Sequence, residues 1–208
     1  MKTLSIILVT LCFNFSQLVK AQEAGSPISM ADAFKYSYEA EYAGKNDEAI
    51  RILKNSYDEK SYEMNLRLGW LHYSSGLFSE SMTYYAKAIN LLPLSLEAKF
   101  GYTLPAAALG SWDKIENQYR EILKIDTKNV NASYKLGLIL YGKKEYAEAE
   151  KLFSNLVNQY PFEYNYVLTY AWIEYFLKKP REAKVLFNKV LLMSPADVSA
   201  QEGLGLIK

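Results

Sequence analysis

The sequence predicts an all-α fold, a solenoid of stacked helix–turn–helix hairpins, and three observations carry that prediction. Apolar positions recur every 34 residues: Leu68, Tyr102, Leu136, Tyr170 and Leu204 form one series, and Tyr85, Tyr119, Phe153 and Phe187 a second. Pro93, Pro161 and Pro195 punctuate one point of the same period, with Thr127 in the remaining slot. Within a period the apolar residues fall at helical spacing, most clearly over residues 134–161. There Leu136 and Gly137 centre one helix, Ala149 and Phe153 centre a second, and Pro161 stops it. A unit this short cannot bury its own apolar face, so each copy must stack on its neighbours. Half of the chain is apolar, enough for a continuous core.

Taken in order, the chain opens on Lys2 and an apolar run from Leu4 to Leu11, extended by Phe13, Phe15 and Leu18. Val19 and Ala21 then present slight side chains before Gln22. Residues 1–21 are therefore expected to be a secretory signal peptide. Asn14 and Gln17 keep the run short of the roughly 20 apolar residues that a membrane span requires. Leu11 before Cys12, where lipoprotein signals carry a small residue, argues against a lipid anchor. Residues 22–29 read as a flexible leader broken by Pro27, and 30–208 as the repeat domain.

Repeats are expected near 30–61, 62–95, 96–129, 130–163 and 164–197, followed by a partial capping helix over 198–208. The first is two residues short, as terminal copies often are. The third is the least regular. Ile115 stands where the other copies have a small residue, and Pro105, which cannot donate to Gly101, predicts a kink or break in its first helix. Gly69 and Gly137 read as points of close helix approach, faced by Ala149 and Ala183 in a slot that admits no larger side chain.

These residues resemble the tetratricopeptide repeat (TPR), whose first helix carries Leu-Gly and an aromatic and whose second carries Ala, an aromatic and a closing Pro. The resemblance covers about 180 residues and departs from the pattern at Ser37, Thr103, Ala171 and Ile115. It implies a right-handed α-solenoid whose first helices line a concave groove. It also places a set of side chains inward. Phe34, Lys35 and Tyr38 come from the first repeat, Arg67, Trp70 and Tyr73 from the second, and Phe100 from the third. Tyr134, Lys135 and Tyr141 come from the fourth, and Trp172 and Tyr175 from the fifth. The lysine and asparagine clamp with which some of these proteins hold a terminal carboxylate is missing, because its slots carry Phe34, Leu66, Phe100, Tyr134 and Leu168, then Tyr38, Trp70, Leu104, Leu138 and Trp172. Rings with a polar edge suit an interface, and Lys35, Arg67 and Lys135 in one row favour a partner with acidic groups.

Composition narrows the function further. Without Lys2 and Lys20 the chain's 24 basic residues become 22 against 23 acidic ones, a net charge of −1, with no general attraction for nucleic acid. No membrane span is expected after signal cleavage, and the lack of cysteine beyond Cys12 suits an exported, periplasmic or extracellular protein. With one histidine, catalytic triads and zinc sites are not expected, and no cofactor is implied. His72 reads as a packed ring, Glu63 and Glu97 as solvated groove-edge charges, and Lys143, Lys144, Lys178 and Lys179 as solvated turn charges. The expected function is a non-catalytic protein-binding scaffold of the cell envelope. The alternative is a carbohydrate-binding module in which Trp70, Tyr73, Trp172 and Tyr175 stack on sugar rings.

Overall fold

The computed structural model describes residues 28–207. The expected signal peptide and residues 22–27 of the leader lie outside them. The described residues form eleven α-helices and no strand: α1 Met30–Tyr42, α2 Asn46–Asn55, α3 Tyr62–Ser74, α4 Phe78–Leu91, α5 Leu96–Ala108, α6 Trp112–Ile125, α7 Val130–Gly142, α8 Tyr146–Gln159, α9 Tyr164–Phe176, α10 Pro180–Met193 and α11 Val198–Leu206. The all-helical hairpin solenoid expected from the period is the fold observed. The chain divides into two compact units between Pro105 and Ala106.

Local chemistry sets each hairpin's start and its turn. The first helix of each hairpin begins with a side-chain cap on its orphan amides: Ser29 accepts from the Asp32 amide, Ser61 from Met64, Ser95 from Ala98, Asn129 from Ala132, Glu163 from Asn165 and Asp197 from Ala200. The second helices have no such cap. Their start is set by the turn before them, in which the amides of Lys45, Leu77, Ser111, Glu145 and Lys179 donate to the carbonyls of Ala40, His72, Ala106, Leu140 and Glu174. That turn needs one residue in the left-handed region. Gly44, Gly76 and Gly110 supply it in the first three hairpins, and Lys144 and Lys178, both at φ 62°, in the last two.

In the first unit α1 packs on α2, α2 on α3 and α3 on α4, around Ala33, Ala49, Ile52, Leu53, Leu68 and Leu71. In the second unit the same pattern runs from α6 to α11, around Val157, Val167, Ala171, Ala183, Phe187, Val190 and Ala200. Ala149 and Ala183 are fully buried, as their slot requires. The glycines work differently from the expectation. A Cβ on Gly69 would meet the Tyr85 ring at 2.9 Å, and one on Gly137 the Phe153 ring at 2.6 Å, so these glycines clear space for a ring rather than for another backbone. Rings also reach forward: Gly101 on α5 and Gly203 on α11 take the rings of Tyr85 and Phe187 from the preceding hairpins, at 2.3 and 2.2 Å from a notional Cβ.

Two local expectations are refined. Of the kink or break expected at Pro105, the break does not occur, and helix α5 continues to Ala108. The proline removes one amide donor four residues from the helix end, and the structure tolerates that loss. Lys143 is an exposed turn charge, but it is ion-paired: its Nζ lies 2.6 Å from Asp113 and 2.7 Å from Glu116. Lys179 likewise reaches Glu150 at 2.5 Å. Only Lys144 and Lys178 of the turn lysines occupy the strained turn position.

Candidate binding groove

The first unit contains an open groove of ≈ 480 Å³ on the first helices of its hairpins. Its wall is built from Phe34 and Tyr38 of α1, from Glu63, Leu66, Arg67 and Trp70 of α3, and from Glu97, Gly101 and Leu104 of α5. Tyr85 of α4 reaches between the first helices to join the lining. It can do so because Gly69 and Gly101 have no side chain where the ring passes. A cleft between helices, largely apolar with a few polar groups, is the usual form of a recognition site.

Arg67 organises the polar side of this groove. Its side chain is only 6% exposed, with Nη1 2.6 Å from Glu41 and Nη2 donating to the Ser37 hydroxyl at 3.3 Å. The guanidinium carbon lies 3.8 Å from the centroid of the Tyr38 ring. Burying a cation is costly unless its charge and its donors are matched, and Glu41 supplies the charge. The same Glu41 accepts from Trp70 Nε1 at 2.6 Å, so one carboxylate holds the indole and the guanidinium together. Among the described residues the Arg67 Nε has no acceptor. Ser37, standing where the repeat pattern has glycine, is the residue that provides the second acceptor.

The consequence is a fixed aromatic platform. Tyr38 and Trp70 keep 43% and 41% of their surface exposed although their polar edges or faces are held by Arg67 and Glu41. Tyr73 packs against Trp70 and Phe78 at ring distances of 5.9 Å and supports the platform from outside the lining. Lys35 is exposed beside Tyr36, and half-buried Phe100 also stands outside the lining. The expectation that Arg67 offers a free cation to an acidic partner is therefore corrected, since its charge is matched within the protein. Glu63 and Glu97 instead face the groove. Glu63 accepts from the Ser61 hydroxyl at 3.0 Å and Glu97 from Tyr62 at 3.5 Å, and among the described residues neither is ion-paired. His72 is buried, its Nδ1 2.7 Å from the Leu68 carbonyl, and burial lowers its basicity.

In the second unit the inward rings pack largely on one another. Tyr134 contacts Phe153 and Tyr166, with Lys135 near its face. Tyr141 meets Tyr146 and Phe176, and Phe176 stacks on Tyr146 at 4.8 Å. Trp172 packs against Tyr175, Phe176 and Phe187 and donates Nε1 to Ser199 at 2.9 Å. A cavity of ≈ 340 Å³ in this unit is lined by Leu123, Thr127, Lys128, Val130, Ser133 and parts of α8, and by none of the expected residues. The second unit's ion pairs lie elsewhere, with Arg120 gripping Glu148 and Glu116.

Sequence reasoning found Phe34, Tyr38, Arg67 and Trp70 of the groove, because helical periodicity locates a face. It set aside Glu63 and Glu97 as edge charges, although both sit at one register position of consecutive repeats. Glu41 and Tyr85 were missed. Glu41 lies three residues beyond Tyr38, within reach of the same face, and Tyr85 is legible as a repeat aromatic but not as part of the lining.

Comparison with known proteins follows from this geometry. Two family models described as tetratricopeptide repeat match residues 37–95 and 131–162. Curated proteins yield no match. Among solved structures the chain is similar to MamA, at 20% identity over 79% of this chain and 91% of that one, with a TM-score of 0.67. It is similar to a tetratricopeptide repeat protein from Parabacteroides merdae, at 21% identity over 84% and 70%, with a TM-score of 0.69. It is also similar to YrrB, described as a TPR protein with an unusual peptide-binding site, at 12% identity over 90% and 97%, with a TM-score of 0.71. At such identities the likeness is one of fold.

Proposed function

The chain is a tetratricopeptide-repeat protein, and from that premise we propose that it is a non-catalytic scaffold of the cell envelope that holds an extended segment of a protein partner in the groove of its first unit. Proteins of this family generally work as interaction modules for proteins or peptides, and YrrB carries a peptide-binding site on the same fold. The observation that carries the reading is the platform of Tyr38 and Trp70. Large rings left exposed on a cleft wall, with their orientation already fixed by Arg67 and Glu41, bind at little ordering cost. Leu66, Leu104 and Phe34 supply apolar surface around them.

The envelope setting is supported by the amino-terminal apolar run and by the absence of cysteine after it. None of the described helices is long and apolar enough to cross a membrane.

The groove is tested by selecting a random dodecapeptide display library on the immobilised 22–208 chain. Trp70→Ala is expected to weaken selected peptides by about 2 kcal/mol, as the loss of a central interface ring does, while thermal melting changes much less. Binding that falls only in proportion to the folded fraction would assign Trp70 to packing and end the proposal. The carbohydrate reading keeps one specific support, the exposed Trp70 face beside two carboxylates. A glycan array that retains the wild-type chain but not Trp70→Ala, alongside a library that yields no peptides, would favour it.

A further inference from the structure

We propose that the segment held in this groove is cationic as well as apolar, with Lys or Arg side chains seated on Glu63 and Glu97. The inference rests on the groove reading above and names the chemical class of its occupant.

The argument is one of charge left over after the protein's own pairing. Four charged groups form the groove's polar system: Glu41 behind the platform, and Arg67, Glu63 and Glu97 in the lining. Glu41 and Arg67 satisfy each other at 2.6 Å. Two carboxylates remain, each at the second position of a first helix, α3 and α5, and each exposed. That position has a structural use, since a negative charge favours a helix amino terminus. The use accounts for an acidic residue but not for its facing a cleft beside two exposed rings. Lys35 lies on α1 with its Nζ near Tyr36, outside the lining, and Lys99 is buried on α5 about 200° around the helix from Glu97. Neither of these lysines lines the groove with the two carboxylates.

The geometry also suits a particular form of occupant. The amino-terminal turns of α3 and α5 are tied together, because the Tyr62 hydroxyl lies 2.7 Å from Ser95 and 3.5 Å from Glu97. Glu63 and Glu97 therefore lie on adjacent helices, whose axes are about 8 to 10 Å apart at usual packing distances. An extended chain rises about 3.3 Å per residue, so basic side chains two or three residues apart would reach both. Apolar or aromatic side chains between or beyond them would lie on Trp70, Tyr38 and Leu104. An acidic segment would instead meet two carboxylates and, among the described residues, no unpaired cation in the groove lining to answer it.

The test uses the same dodecapeptide library on four proteins: the wild-type 22–208 chain, Trp70→Phe, Trp70→Ala, and the double variant Glu63→Gln/Glu97→Gln. Melting curves establish that each is folded. The expected result is a wild-type pool enriched in Lys and Arg over Asp and Glu, dependent on Trp70, in which binding weakens as salt rises. Each carboxylate removed should weaken a selected peptide by up to about 5-fold, and the double variant should lose both the basic enrichment and most of the salt dependence while keeping the apolar preference. A Trp70-dependent pool that is neutral or acidic, or that binds the double variant unchanged, overturns the charge inference and leaves the groove reading standing. A pool indifferent to Trp70 overturns both.

Discussion

Glu174 is the residue whose ionisation the fold most clearly works against. It is 2% exposed on α9, its Oε2 has no hydrogen-bond partner among the described residues, and Lys179 Nζ lies 3.5 Å away while engaged closer with Glu150. Burial raises its pKa, with Glu150 adding to the rise, while Tyr170 and Lys179 lower it without reversing the direction. Burial, with the hydrogen bond to Glu174 adding to it, pushes the neighbouring Tyr170 hydroxyl up to about 12. A carboxyl whose folded pKa exceeds its unfolded one binds more protons in the native state, so its contribution to stability is greatest at low pH and is lost as pH rises through the folded value. Glu174→Gln, which keeps the shape without the charge, is therefore expected to melt above the wild type at pH 8, with the gap closing towards pH 4. A gap constant across that range would show that ionisation of Glu174 is not what costs stability. Nothing in the sequence marks this position, because a helical face can be counted but the depth of a side chain among neighbouring helices cannot. Arg67 makes the same point: its slot was legible and its partner was not.

At the scale of the element, the hairpin is defined by contacts that recur with the repeat. Tyr62 and Tyr164, each opening a first helix, bond to Ser95 and Asp197, the caps of the next first helices. The rings of Tyr85, Phe153 and Phe187 fill space, and the glycines opposite them are as necessary as the rings. Helix α11 separates the two roles of glycine within one turn. Gly203 faces the buried Phe187 ring, whereas Gly205 has open space where a Cβ would stand. Gly203→Ala is expected to destabilise by about 1 to 3 kcal/mol, the usual cost of overpacking, and Gly205→Ala to be neutral or stabilising by up to about 1 kcal/mol through helix propensity. Urea unfolding of the two variants checks this, and equal midpoints would mean that the Phe187 contact is not tight. The period revealed that an aromatic and a small residue alternate along the stack. Which glycine meets which ring depends on how the hairpins are set against each other, and the sequence reading misassigned Gly69 and Gly137 for that reason.

At the scale of the whole molecule, the chain is a sequence of local units, and its destination rests on the amino-terminal segment. The mature protein is expected to begin at Gln22, after the slight residues Val19 and Ala21, and amino-terminal sequencing of material from the envelope or medium checks it. Retention of Met1 in a cytosolic fraction would remove the envelope from the proposed function. The sequence by itself determined the helical class, the hairpin period and the burial of the repeat alanines and aromatics. These follow from spacing along the chain, because helical periodicity and stacking of identical units are local rules applied many times over. Tertiary structure decided which charges remain available. Glu41 reaches Arg67 and Trp70 from the preceding hairpin, so a residue that looked like a free cation became an internal one, and Glu63 and Glu97 were left as the charge of the groove. Pairing of this kind depends on distances between helices 26 or more residues apart in sequence, and a one-dimensional pattern carries no such distances.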